Sequence, residues 1–327
     1  MNEFEKELQL NYNLKIKNLN NFRDMFLADT DSGRKLVKIS TVKQERINFI
    51  GEVKEHLIKN GFIHIDRNIP TVKGDYSMQF NDQTVYISDY IEGRECNLDN
   101  REETIGCAGL LAKMHRASYG FVCSENSYGR SELGRMPGSY RKRLDEIKKL
   151  KKNAQRGRMK FDNLVTKNID YFYEVGEKAL GQLLTSDYYE LVEDAQHNRT
   201  ISHHDFNHHN IYLQNDEMFL INFEYCCYDL KVYDLVNLLR RKMRKCNWDI
   251  REAAVILNEY SRYETLSGSD MNIMKIMLMF PQKFWRVINK YYNSRKSWSE
   301  QSYLLRIQEV IDEAQCHRIF LEKFTAL

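Results

Sequence analysis

The sequence predicts an α+β chain of two lobes, a small β-rich N-terminal lobe and a larger, mainly helical C-terminal lobe. Three observations carry this expectation. Runs with β character cluster before residue 95, helical periodicity dominates from Leu98 onward, and only three prolines and fifteen glycines interrupt 327 residues. A chain of this length can bury a sizeable core or divide in two. The boundary is placed at 92/93, giving lobes of residues 1–92 and 93–327.

Taken in order, Asp31-Ser32-Gly33 is a turn sequence, and Lys35-Leu36-Val37-Lys38-Ile39 is the β-like run that leaves it. Residues 41–60 read as a helix because Ile47, Ile50, Val53 and Leu57 recur at helical spacing and Gly61 stops it. Two β-like pieces, 76–80 and 84–90, flank Asn81-Asp82, and Ile91-Glu92-Gly93 leads onward. Ile105, Ala108, Leu111, Ala112 and His115 then fall along one helix that ends near Gly120. Residues 121–140, with Gly129, Gly134, Pro137 and Gly138, read as an irregular loop. Residues 141–160 carry ten Lys or Arg against two acids, the pattern of a solvated helix face. Helices are predicted over 162–196 and again from residue 234 to the end, with two short apolar strands in 200–225. Trp285, Tyr291 and Trp298 serve equally well as groove lining or as core.

Composition narrows the function classes. The chain is 42% hydrophobic and 29% charged, and no stretch approaches the roughly 18–20 apolar residues of a membrane helix. The N-terminal MNEFEKELQL has no apolar signal core, so synthesis in the cytoplasm is expected. A net charge of +3, without aromatics interleaved in the basic stretch, argues against nucleic acid as a partner. Cysteines at 96, 107, 123, 226, 227, 246 and 316 show no C-x-x-C spacing and are odd in number, so reduced thiols are expected.

Chemistry concentrates in Ile201-Ser202-His203-His204-Asp205-Phe206-Asn207-His208-His209-Asn210-Ile211-Tyr212-Leu213 and in Phe219-Leu220-Ile221-Asn222-Phe223-Glu224. Each half is a short apolar strand bearing polar groups at one end, and as a hairpin the two aim oxygen and nitrogen donors at one spot. Phosphoryl transfer needs that arrangement: a carboxylate for the proton of an attacking hydroxyl, and oxygen ligands for Mg²⁺ against the phosphates. Asp205 has the chemistry of the first and Asn210 of the second. Four histidines at 203, 204, 208 and 209 raise the alternative of a zinc cluster, with His204 and His208 at i, i+4 spacing. No third ligand set follows in the sequence, and the histidines are read as loop residues.

The pattern His203-x-Asp205-x-x-x-x-Asn210, followed by Ile221-Asn222-Phe223-Glu224, resembles the catalytic and metal-binding loops of aminoglycoside phosphotransferases and choline kinases. The longer run HHDFNHHNIYL…LINFEYCCYDLKVYDLVNLLR, with MRKCNWD after it, is similar to the spore-coat protein S (CotS) family of endospore-forming bacteria. KNGFIHIDRNIPT, YISDYIEGRE, LLAKMHRAS and SDYYELVEDA agree in order, so the resemblance spans nearly the whole chain. It implies the two-lobed protein-kinase-like fold, ATP and Mg²⁺ as cofactors, and transfer to a hydroxyl or amine of a small molecule or a coat or wall component. It further implies a final location in the spore coat among other coat proteins. By position, Asp205 becomes the catalytic base and His203 the histidine packed beneath the loop. Lys38 becomes the lysine that meets the α- and β-phosphates, and residues 88–92, with Asp89, Tyr90 and Ile91, the connector that contacts adenine. Asn210, Asn222 and Glu224 become the metal ligands, while Asp229 and Asp234 match a D-x-x-x-x-D stretch whose second acid braces the loop.

Two departures stand out. The family's second loop carries an aspartate where this chain has Asn222, a neutral and weaker ligand that Glu224 is placed to supplement. The helix glutamate that such folds pair with the strand lysine has no motif match; Glu52 is taken as the candidate, with Glu55 and Glu45 as alternatives. The resemblance therefore leaves two readings, an active phosphotransferase and a pseudokinase that serves the coat by binding or structure.

Overall fold

A computed structural model describes residues 3–293, 299–324 and 327. Its elements, in chain order, begin with helix α1 (Glu3–Tyr12) and strands β1 (Ile16–Phe22), β2 (Met25–Thr30) and β3 (Gly33–Ser40). There follow helix α2 (Gln44–Lys59), strands β4 (Met78–Phe80), β5 (Gln83–Asp89) and β6 (Arg94–Glu95), and helix α3 (Arg101–Ser118). Helices α4 (Met136–Arg156), α5 (Lys160–Leu184) and α6 (Tyr188–Asn198) lead to the short strands β7 (Ile201–Ser202), β8 (Ile211–Gln214), β9 (Glu217–Leu220) and β10 (Cys227–Tyr228). The rest is helical: α7 (Val232–Met243), α8 (Ile250–Ser261), α9 (Gly268–Met279), α10 (Gln282–Asn293), α11 (Glu300–Asp312) and α12 (Ala314–Phe324). The expected α+β class holds, with the antiparallel sheet in the N-terminal part and a mainly helical C-terminal part.

By internal contacts the chain forms two compact units, Met1–Ser131 with Ala195–Asp234 and Glu259–Glu264, and Glu132–Asp194 with Leu235–Asn258 and Thr265–Leu327. The first unit therefore holds both the N-terminal sheet and the histidine-rich hairpin, whereas the sequence division at 92/93 separates them.

In the first unit the sheet runs β1-β2-β3-β5-β4, antiparallel throughout. Side chains alternate across it, as strand geometry requires. Val37 on β3 and Val85 and Ile87 on β5 join Leu8, Tyr12, Ala28 and Met78 in a core under α1. Leu36, Lys38 and Ser40, one residue out of phase, face the other way. A slip of one residue would exchange Lys38 with an apolar neighbour, so burial of Val37 fixes where the lysine points. Gly93 allows a close approach: a Cβ there would stand 2.2 Å from the Leu213 carbonyl oxygen on β8. That approach lets Arg94 and Glu95 pair with Leu213 and Tyr212 and brings the chain after β5 against the histidine-rich hairpin.

The second unit is held by aromatic stacking between helices. Tyr140 stacks on Phe280 at 3.8 Å, Phe161 on Tyr291 at 3.9 Å and Phe172 on Phe284 at 4.2 Å between ring centres. Tyr291 is thus core. Trp285 donates its indole N–H to Glu146 at 2.7 Å under the Arg143 guanidinium, and Trp298 lies outside the described residues. The basic stretch forms the outer face of α4: Tyr140, Leu144, Ile147, Leu150 and Ala154 are buried while Arg141, Lys142, Lys148 and Lys149 are exposed. The predicted loop over 121–140 ends early, because Pro137 sits in the first turn of α4, where its missing N–H costs nothing.

Candidate functional site

One cleft of about 700 Å³ gathers most of the candidates, all from the first unit. Leu36, Lys38 and Ser40 of β3 form one wall, with Tyr86 of β5 beside Lys38 in register. The Lys38 ammonium stands 5.6 Å from the centre of the Tyr86 ring and, among the described residues, pairs with no carboxylate. Asp89, Tyr90 and Ile91 also line the cleft. Asp89 is bonded to the Lys35 ammonium at 2.6 Å, and Tyr90 packs edge-on to Phe22.

The opposite wall rests on a braced loop. Asp234, wholly buried, accepts the backbone N–H of His203 at 2.6 Å on one carboxylate oxygen and that of His204 at 2.9 Å on the other. His115 approaches the same carboxylate at 3.4 Å and bonds the Tyr260 hydroxyl through its other nitrogen. Burial pushes the Asp234 carboxyl up, but the bond and charge of His115, with His203 and His204, outweigh it and hold the group below its ordinary range. His203 is also buried; its Nε2 bonds the Ile221 carbonyl oxygen at 3.0 Å, and burial lowers its pKa. It ties the first half of the hairpin to the second. His204 adopts a left-handed backbone, φ 67°, which aims its ring at Asp229 (2.7 Å) and flat on Tyr233 (3.9 Å). Asp229 is shifted upward by its burial, against the pull of His204.

Above this brace, Asp205 and Asn210 are bound together. The Asn210 amide donates at 2.7 Å to one Asp205 carboxylate oxygen, and the Asn207 amide at 2.9 Å to the other. Its amide N–H thus committed, Asn210 turns its Oδ1 toward Asn222, which donates to it at 3.2 Å. Asn210, Asn222 and Glu224 line the cleft together with Lys38; Asp205 is reached through Asn210. Asn222 sits at φ 63°, ψ 66°, a left-handed conformation that Asn and Asp tolerate best among side chains with a Cβ. Glu224 accepts the Tyr86 hydroxyl at 2.8 Å.

Glu52 does not come to the cleft. Its carboxylate accepts Ser124 N–H and the hydroxyls of Ser124 and Ser127, holding the loop 124–127. The inward position on α2 belongs instead to Lys54, fully buried, 2.8 Å from Asp66 and bonded to the Asp66 carbonyl and to Asn68. Burial lowers its pKa against the pull of Asp66. Asp66 lines the cleft. Arg46, about two turns earlier on α2, donates to the carbonyls of Glu224 and Cys226 and pins the turn after Asn222. Sequence reasoning missed Lys54, Asp66 and Arg46. The signal was present for Lys54: it falls one residue after Val53 in the apolar run, where a lysine needs a buried acid.

The chain belongs to the family described as Spore coat putative kinase YutH, whose family model matches residues 5–324. It is 28% identical over 313 residues to spore coat protein S of Bacillus subtilis (strain 168), covering 93% of this chain and 88% of the relative. Among solved structures, an aminoglycoside phosphotransferase from Alicyclobacillus acidocaldarius superposes with TM-score 0.84 at 20% identity, over 97% of this chain and 93% of that one. The AMP-bound complex of a spectinomycin phosphotransferase superposes with TM-score 0.64 at 13% identity, over 97% of both chains. The kinase-like fold of the phosphotransferases is thereby shared, as is kinship with the spore-coat proteins.

Proposed function

We propose that this chain is a spore-coat-associated phosphotransferase that uses ATP and Mg²⁺ to modify a hydroxyl or amine of a small molecule or of a coat or wall component. The observation that carries the reading is the Lys38 ammonium, paired with no carboxylate among the described residues, in one cleft with Asn210, Asn222 and Glu224. A lysine left without a carboxylate in a concave, polar-lined cleft suits an anionic ligand, and the three oxygen-bearing side chains suit a hard cation. The coat association rests on family membership and on the named relative.

In this reading residues 1–92 are the nucleotide-binding lobe, with Lys38 on the phosphates and the backbone of 88–92 against adenine. Bound ATP supplies the phosphoryl group, and Mg²⁺ neutralises the charge that develops on it. Asn210, with its Oδ1 already turned outward, and Glu224 would hold the cation, joined by Asn222 once its amide turns over. Asp205 keeps lone pairs beyond the two taken by Asn207 and Asn210, and there it takes the proton of the acceptor hydroxyl. His203 and Asp234 hold the loop that presents it. Glu52 has no part in this scheme, and Asp66 with Lys54 occupies the interior where a helix glutamate was expected.

A specific observation favours the pseudokinase as second reading. Asn222 donates to Asn210, so the pair is satisfied without a cation, and the site carries one negative charge fewer than an aspartate would give. Thermal unfolding separates binding from its absence: Mg·ATP at 100-fold over its Kd stabilises by about 2.7 kcal/mol. If no nucleotide with any divalent ion raises the melting temperature, the phosphotransferase falls and so does any pseudokinase that acts by binding nucleotide. If Mg·ATP binds but no phosphate is released or transferred to any acceptor, the second reading stands.

A further inference from the structure

We propose that Glu95, His208 and His209 form a binding site for one divalent transition cation of the zinc class, on the rim of the same cleft. The sequence offered two adjacent histidines and no third ligand; the fold supplies it from a distant strand. One donor atom from each of the three residues lies within 4.8 Å of the others. Glu95 and His209 line the cleft, and His209 Nδ1 already meets Glu95 Oε2 at 2.7 Å.

The three donors are presented by fixed backbone. Glu95 is held by the pairing of β6 with β8, opposite Tyr212, and the next residue donates to the Ile211 carbonyl at 2.8 Å. His208 and His209 open the tight turn His208–Asn210, which Asn207 caps by accepting the His209 N–H at 3.0 Å. The two rings lie 3.9 Å apart at 36°, so neighbouring side chains that would ordinarily diverge share one side. A zinc ion with bonds of about 2.0 Å needs tetrahedral donors roughly 3.3 Å apart. The ion would displace the proton between His209 and Glu95 and spread those two atoms by a fraction of an ångström. With His209 exposed and the other two half-buried, a remaining coordination position faces solvent.

Donor chemistry separates this site from the one beside it. Two imidazoles and a carboxylate suit zinc, nickel, cobalt or copper, whereas Asn210, Asn222 and Glu224 offer only oxygen and suit Mg²⁺. A second cluster, His204 with Cys227 and Asp229, meets the same distance criterion. Its members brace the loop, however: His204 is bonded to Asp229 and stacked on Tyr233, and the other Asp229 oxygen accepts Leu230 N–H. An ion there would have to break that brace.

The test needs no nucleotide, so it stands or falls apart from the phosphotransferase reading. Chelator-treated full-length protein is titrated with Co²⁺, followed by its visible d–d absorption, and then with Zn²⁺ as competitor. One Co²⁺ per chain should bind with a tetrahedral spectrum and be displaced by one Zn²⁺, unaffected by excess Mg²⁺. Glu95→Gln, His208→Ala and His209→Ala should each weaken binding at least about 10-fold, since even partners outside the ligand shell cost roughly 10–100-fold. None of the three replaces a fully buried group, and unchanged metal-free melting temperatures confirm the fold of each variant. Cys227→Ser should leave binding intact. The proposal is overturned if no Co²⁺ binds, if binding survives His208→Ala together with His209→Ala, or if Cys227→Ser abolishes it.

Discussion

Replacing Asn222 by Asp exchanges a hydrogen-bond donor for a charge at a single position, and its cost in stability depends on the presence of a divalent ion. The left-handed backbone at φ 63° accommodates either residue, so the side chain alone is tested. Without an ion, the variant loses the 3.2 Å bond from Asn222 to Asn210, about 1 kcal/mol. A carboxylate oxygen then faces the Asn210 carbonyl oxygen across the same half-buried gap, and an unmatched acceptor there costs about 1 kcal/mol more. For a unit of this size each kcal/mol moves the melting temperature by about 2–4 °C, so a fall of about 4–8 °C is expected in chelator. With Mg·ATP the two oxygens share a cation and the loss is recovered. Calorimetric melts of both proteins, with chelator and with Mg·ATP, give the four values required. Equal melting temperatures in chelator, together with equal shifts on adding Mg·ATP, would refute the reasoning.

Lys38→Met should abolish the Mg·ATP shift while lowering the ligand-free stability by no more than about 1 kcal/mol, the worth of its contact with the Tyr86 ring; a retained shift removes Lys38 from the site. Asp66→Asn leaves Lys54 buried without its counter-charge and should cost about 3–5 kcal/mol by urea unfolding, most of it recovered in the double variant with Lys54→Met. A double variant as unstable as the single one would show that the pair does not act as a pair. Burial, with the charges of Arg240 and Arg244, holds His317 at about 4 against the pull of the Leu278 carbonyl, so the folded chain keeps it neutral while the unfolded chain takes up a proton below about pH 6.5. Stability should therefore fall between pH 6.5 and 4 by up to about 1.4 kcal/mol per pH unit, and His317→Gln should flatten that slope. An identical slope in the variant would place the pH dependence elsewhere.

The elements readable in the sequence were those whose packing is periodic. Residues 35–39 and 84–90 are short runs rich in β-branched and aromatic side chains, and Ile47, Ile50, Val53 and Leu57 recur at helical spacing, so β3, β5 and α2 fell within a few residues of their observed bounds. Strand β1, IKNLNNF, was invisible because it has no buried residue and owes its conformation to pairing with β2. Polar residues at one hairpin end were legible as a cluster because they are close in sequence. Lys54 with Asp66, and Glu95 with the two histidines, were not, because each pairing depends on which segments the tertiary fold brings together. The apolar pattern of α2 placed Glu52 on a plausible face, but the serines of the 124–127 loop compete for it, and no local signal announces a partner 72 residues away.

Shape and charge separate at this site. Asp234, His115 and His203 form a wholly buried polar network, whose removal from water is tolerable because its members are hydrogen-bonded. What apolar groups cannot do is receive two consecutive backbone N–H groups, as Asp234 does from His203 and His204, and so fix a loop with His204 in a left-handed turn. The network therefore specifies a conformation, and that conformation presents Asn210 to the cleft with Asp205 bonded behind it. Asn222 leaves this conformation untouched and alters only the charge beside it. Under the proposed reading, nucleotide binding would draw on the shape and on Lys38, whereas transfer would depend further on the charge at the cation, which Glu224 supplies without an aspartate beside it. In such a protein binding persists further than turnover when the metal is weakened, so lowering Mg²⁺ should extinguish any transfer well before it abolishes the thermal shift.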